Sequence, residues 1–158
     1  MAQLNEATVR VVNGSATVTH VWDATLSSVS GNFSADMDIT WDGGSGSTGG
    51  DGKVVAWNSA TSRLSFYRTA GAIPTAAEAI TDSTTTVSGT IASFYSTSPP
   101  NWDTAIPSTG TKIAVFGNSA TGNYTVADSG HTADTFALTT NFTGTTTSQI
   151  TFGIHTDF

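Results

Sequence analysis

The chain has 158 residues, no cysteine, a formal charge of −7 and charged side chains at only 11% of positions, while 30 threonines and 19 serines fill almost a third of it. Without cysteine there are no disulfides, thiolate metal sites or thiol nucleophiles. Five dispersed cations, Arg10, Lys53, Arg63, Arg68 and Lys112, do not form the positive cluster that nucleic-acid phosphates require, and no segment is apolar enough to span a membrane as a helix.

A chain of this length buries roughly 70% of its unfolded surface, so one core can support it. Thr, Val, Ile, Phe and Tyr suit a half-buried pleated surface, whereas long helices draw on Ala, Leu, Glu and Lys. The expected fold is therefore all-β: an antiparallel β-sandwich or small barrel with short hairpins and one short helix at most. The expected organisation is a single domain over 1–158, with two related β units, 1–81 and 82–158, as the finer division. The first six residues carry neither a basic n-region nor an apolar h-region, so synthesis and folding in a cytoplasm are expected.

In chain order, Val9 and Val11 alternate with Thr8 and Arg10 before Asn13-Gly14. This is the signature of a two-residue type I′ hairpin, which pairs Val11 with Ala16 and Val9 with Val18. Met37, Ile39 and Trp41 then alternate with Asp36, Asp38, Thr40 and Asp42, giving a strand with an acidic outer face. The glycine-rich stretch from Asp42 to Gly52 reads as a flexible exposed loop that includes Asp51. Strands are predicted at 53–57 and 63–67 around a turn at 58–62. The one helix predicted is 76–80, where Thr75 and Glu78 have capping-box spacing.

Further strands are predicted at 87–95, 112–116, 123–126, 135–140 and 149–155. Between the first two lies a long irregular loop at 96–108 containing Pro99, Pro100, Asn101 and Trp102. The stretch from Gly52 to Gly71 is also faintly echoed between Gly122 and Gly144. Its two readings are an internal repeat, with a boundary near 81–86, and shared strand–turn–strand grammar.

Catalytic patterns fail on inspection. Gly44-Ser45-Gly46-Ser47-Thr48-Gly49 has dinucleotide-loop spacing but no following helix to meet a pyrophosphate. His20, His131 and His155 lack metal-ligand spacing, and no nucleophile elbow is present. Asp36, Asp38, Asp42 and Asp51 could contribute oxygens to a weak calcium site, yet the ordered loop pattern is missing, and a solvated acidic face is the simpler reading. No enzyme activity, cofactor or metal is expected. Trp22, Trp41 and Trp57 fall on apolar strand phases. Trp102 sits in a loop, where it either folds over the end of the β structure or makes a contact surface. The candidate partner-binding residues are therefore Trp102, Pro99, Pro100, Asn101, Asp42 and Asp51.

Two stretches carry a resemblance. Ala7-Thr8-Val9-Arg10-Val11-Val12-Asn13-Gly14-Ser15-Ala16-Thr17-Val18-Thr19 and Thr135-Phe136-Ala137-Leu138-Thr139-Thr140-Asn141-Phe142-Thr143-Gly144-Thr145-Thr146 resemble β modules of tailed-bacteriophage virion proteins. The resemblance implies a non-catalytic structural role, foremost as a capsid decoration (cement) protein. Such a protein would be made in the host cytoplasm and sit as a homotrimer on the capsid exterior, bound to the major capsid protein of the mature head. The alternative it leaves open is a carbohydrate- or receptor-binding module of a phage tail or fibre.

Overall fold

The computed structural model describes the backbone of residues 3–42, 48–82, 87–95, 110, 112–115 and 120–154, and the side chains of these except 3–6 and 148–154. The all-β expectation holds: eleven strands and no α-helix occur among the described residues. They are β1 (Gln3–Val11), β2 (Thr17–Ser30), β3 (Asp38–Trp41), β4 (Gly50–Asn58), β5 (Arg63–Gly71), β6 (Ala79–Asp82), β7 (Ser88–Phe94), β8 (Lys112–Val115), β9 (Gly122–Thr125), β10 (Thr135–Ala137) and β11 (Thr146–Ile154). The chain divides into two compact units, one made of Met1–Val21 with Ser98–Phe158 and the other of Trp22–Thr97. This division differs from one near 81–86, where β6 and β7 pair with each other (Thr81 opposite Ser88) inside a single unit.

In the discontinuous unit, β1 lies between β11 and β2, antiparallel to both, and β10 pairs with the start of β2. All nine residues of β1 find partners in β11, so the strand expected at 149–155 begins earlier, at Thr146. Val9, Val11, Val18, Ile113, Val115, Phe136 and Phe142 are buried together beneath these strands and the β8–β9 pair. The first hairpin departs from its expected register by two residues, with Val11 opposite Val18 and Val9 opposite His20. An even shift keeps every side chain on its face, so the valines stay in the core. Only Gly14 of the turn has positive φ, at 77°, which rules out type I′. Ser15 N–H instead closes the turn onto Val12 O, while Gly14 N–H and Ser15 O bond to Phe142.

In the continuous unit, the strands follow the order β2-β5-β4-β3-β6-β7, and β7 returns to β2, closing a six-stranded antiparallel barrel. Inward residues alternate with outward ones, as in β5, where Leu64 and Phe66 are buried and Arg63, Ser65 and Tyr67 are half-buried. The interior also holds Trp22, Ile39, Trp41, Val54, Ile80 and Ile91. Trp57, by contrast, is only partly buried and packs on this core from its side.

Two local expectations are corrected here. No helix forms at 76–80: Ala77 has φ of 70°, Ala77 N–H bonds to Ile91 O, and Ile91 N–H bonds to Glu78 O. The capping-box contact does exist, since Thr75 N–H donates to Glu78 Oε2 at 2.8 Å, but it closes a turn. Pairing with β7 outweighs a local propensity this short. Likewise, the glycines after Thr48 belong to the sheet. Trp41 places its indole over Gly50 and Gly52 and donates Nε1–H to Ala72 O at 3.1 Å. A Cβ on Gly52 would lie 2.5 Å from Tyr67 O and 3.0 Å from the Trp41 ring. A Cβ on Gly50 would collide with both the ring and Ala72 O. These glycines let the largest side chain in the barrel lie flat against backbone.

Gly50→Ala is accordingly expected to lower unfolding free energy by about 1–3 kcal/mol through overpacking, read as a reduced urea midpoint at unchanged slope. An unchanged midpoint would show that the indole is not fixed on this strand.

Candidate functional site

Of the six candidate contact residues, Trp102, Pro99, Pro100 and Asn101 lie outside the described residues, as do residues 43–47 of the glycine-rich stretch. Asp42 and Asp51 are described, and both are exposed. Asp51, expected in a flexible loop, is a β4 residue opposite Thr40 on one side and Ala70 on the other. Asp42 Oδ1 accepts a hydrogen bond from Ala79 N–H at 3.2 Å. Asp38 forms a cross-strand ion pair with Lys53 at 2.6 Å, and Asp36 drops out of the strand into a turn with φ of 64°. The strand read as running through Asp36 thus begins at Asp38, and the Asp38 and Asp42 carboxylates have separate structural partners. Among the described residues, no three His, Asp or Glu side chains converge on a point that could hold a metal ion.

The barrel brings together a set of residues that linear pattern does not connect. Asp23 on β2, Arg63 at the start of β5 and Tyr95 just past β7 meet on the outer surface, on three strands that are neighbours in the order β5-β2-β7. Each position follows from strand phase. Trp22 and Ala24 point inward and expose Asp23 between them, and Leu64 points inward and exposes Arg63. On β7 a bulge intervenes, because Leu26 pairs with Ile91 while Thr25 pairs with Ser93. The extra residue lets Ile91 face the core while Ser93 and Tyr95 face out.

The geometry is that of a braced aromatic platform. Arg63 Nε donates to Asp23 Oδ1 at 2.7 Å, and Arg63 Nη2 donates to Asp23 Oδ2, a bidentate fork that fixes the guanidinium plane. The hydrogen bond to Asp23 also raises the guanidinium pKa, so its charge is permanent. That plane lies over the Tyr95 ring, its central carbon 4.0 Å from the ring centroid, a cation–π arrangement. Tyr95 N–H donates to Asp23 O at 2.8 Å, so the backbone is held by Asp23 and the ring by its partner Arg63. Phe94, next to it, turns inward and packs on Trp22 with centroids 5.4 Å apart. Tyr95 nonetheless remains 59% exposed, the most exposed large hydrophobic side chain among the described residues. Tyrosine and arginine are both enriched among the residues that carry binding energy at contact surfaces.

A second ionisable pair sits in the other unit. His20 on β2 is only 4% exposed, and its backbone N–H donates to the carbonyl of the buried Asp134. Burial pushes the imidazole down to about 4, with the Asp134 carboxylate acting more weakly in the opposite direction. The histidine is thus neutral at neutral pH and acts as core. His131 is separately engaged, its Nδ1 accepting Ala137 N–H at 3.3 Å, and His155 lies outside the described residues.

Comparison of the chain with protein-family models, with curated proteins and with solved structures found no match. The function is therefore argued from the geometry and from the sequence resemblance.

Lowering the His20 pKa in the folded state has a definite sign. Between about pH 6.5 and 4 the unfolded chain binds the proton that the folded chain refuses, so stability is complete above that window and falls as pH drops through it. The loss should approach about 3 kcal/mol at its lower end. It should vanish in His20→Phe, measured as urea midpoints across the window; an equally steep dependence in that variant would place the effect elsewhere.

Proposed function

We propose that this chain is a non-catalytic structural protein of a tailed-phage virion, decorating the outside of the mature capsid as a homotrimer bound to the major capsid protein. The observation that carries the reading is where the two phage-like stretches lie. Residues 7–19 and 135–146 are more than a hundred positions apart in sequence, yet they pair directly. Thr135, Phe136 and Ala137 stand opposite Thr19, Val18 and Thr17, Asn13 bridges to Phe142, and Val11 pairs with Thr146. Two separated fragments that resemble one kind of module thus fold into one contiguous sheet, as parts of a single module would. The barrel of 22–97 enters that module as an insertion between its strands.

Further support comes from what the charged groups do. Lys53 with Asp38, Arg63 with Asp23, Asp42 with Ala79 and Glu78 with Thr75 each serve a cross-strand or turn contact. Such a chain acts by binding. A protein that binds the expanded lattice and not the unexpanded one stabilises the expanded state by mass action, about 2.7 kcal/mol per site at a hundredfold excess over Kd.

The purified protein should cosediment with expanded heads that lack it and remain in solution with unexpanded ones, and light scattering should give the mass of a trimer. Equal binding to both head forms, or binding to isolated tails alone, would move the chain to the tail or fibre reading.

A further inference from the structure

The Asp23–Arg63–Tyr95 surface has a chemistry of its own, independent of where on a particle the chain resides. Two features decide what it can hold. The first is charge balance: the Arg63 guanidinium is matched by Asp23 in a bidentate pair, so neither an anion nor a cation meets an uncompensated partner. The second is composition around the ring. The outward positions on the three adjoining strands are hydroxyl-bearing, with Ser65 on β5, Thr25 on β2 and Ser93 on β7, the last two directly opposite each other.

We infer that this face of the barrel is a saccharide-binding site, with the exposed Tyr95 ring as the stacking platform for a neutral pyranose. A pyranose presents an apolar face of C–H groups and an equatorial rim of hydroxyls. Arg63 already stacks on one face of the Tyr95 ring, so the sugar takes the remaining exposed area of a ring that is held in place and loses little side-chain entropy on contact. The rim hydroxyls then meet alternating donors and acceptors. A guanidinium carries five N–H donors, and Arg63 directs two of them at Asp23. The carboxylate retains acceptor lone pairs beyond those two bonds, and the Ser65, Thr25 and Ser93 hydroxyls act in either sense. A protein anchor would be expected to fill a concave apolar pocket. Here the neighbouring outward positions are hydroxyl-bearing and the one charge is already paired, and for that reason the sugar is favoured.

Saturation-transfer NMR on the whole chain with the methyl β-glycosides of glucose, galactose and N-acetylglucosamine, each at about 20 mM, tests the inference, because single-ring stacking supports roughly millimolar affinity. Transfer is expected to at least one glycoside, concentrated on the protons of one pyranose face. It should weaken about tenfold in Tyr95→Ala and stay within about threefold of wild type in Tyr95→Phe, which keeps the ring. On titration of the unaltered protein, amide shifts should cluster at residues 23–27, 63–67 and 93–95, a readout that does not depend on any variant folding. The inference is overturned by absence of transfer to all three sugars, by shifts confined to other residues, or by binding that survives Tyr95→Ala and is lost in Trp102→Ala. Because the experiment uses the isolated protein, its failure leaves the head-binding result untouched, and the reverse also holds.

Discussion

Strand β2 is the element on which the rest of the structure depends. Its first residues lie between β1 and β10, and its later residues pair with β7 to close the barrel. Neither unit is complete without it: the discontinuous unit would lose the partner of two strands, and the barrel would open into a sheet with two edges. The burial pattern records both duties. Val18, His20, Trp22, Ala24 and Leu26 alternate inward, but Val21 is buried too, so three consecutive residues are shielded in the middle of the strand. His20, buried there, is neutral because burial disfavours its charged form. The cost is in assembly. The β1–β11 pairing joins residues some 140 positions apart, and contacts this distant form late and slowly because loop-closure entropy must be met first.

Much of this was legible in the sequence, for identifiable reasons. Alternation of Ile39 and Trp41 and of Val9 and Val11 marked strand faces correctly, because a period of two survives any even slip in register. The slip itself was hidden. The Asn13-Gly14 pair signals a turn, yet its type was decided by Phe142, which takes up both Gly14 N–H and Ser15 O from far along the chain. The structural glycines were misread as a loop because composition is blind to the Trp41 ring and the Ala72 and Tyr67 carbonyls that leave no room for a side chain at Gly50 and Gly52. The spurious helix at 76–80 arose because a three-residue reach from carboxylate to amide serves turns as well as helices.

The platform was not legible at all. Asp23 and Arg63 are 40 positions apart, and Tyr95 looks like the last residue of an ordinary strand. The signal that could have raised it is phase: each of the three adjoins a residue that points into the core, which leaves an opposite-charge pair and an aromatic on outward positions. Strand order then makes them neighbours, and strand order is what a single sequence without repeats does not reveal. Trp102, the aromatic that linear reasoning put forward, lies outside the described residues. Tyr95 has the bracing that makes an exposed aromatic a defined surface: a bidentate ion pair stacked on its ring and a backbone bond to the aspartate of that pair.

The chain thus builds one sheet from segments far apart in sequence and carries a barrel between them. Its central claim, that the chain decorates a phage head, is tested most directly by a cryo-EM reconstruction of purified particles that contain it. The account predicts density for β units on the capsid exterior at three-fold positions, in contact with the major capsid protein. Density confined to the tail or baseplate, with a bare capsid surface, would contradict it.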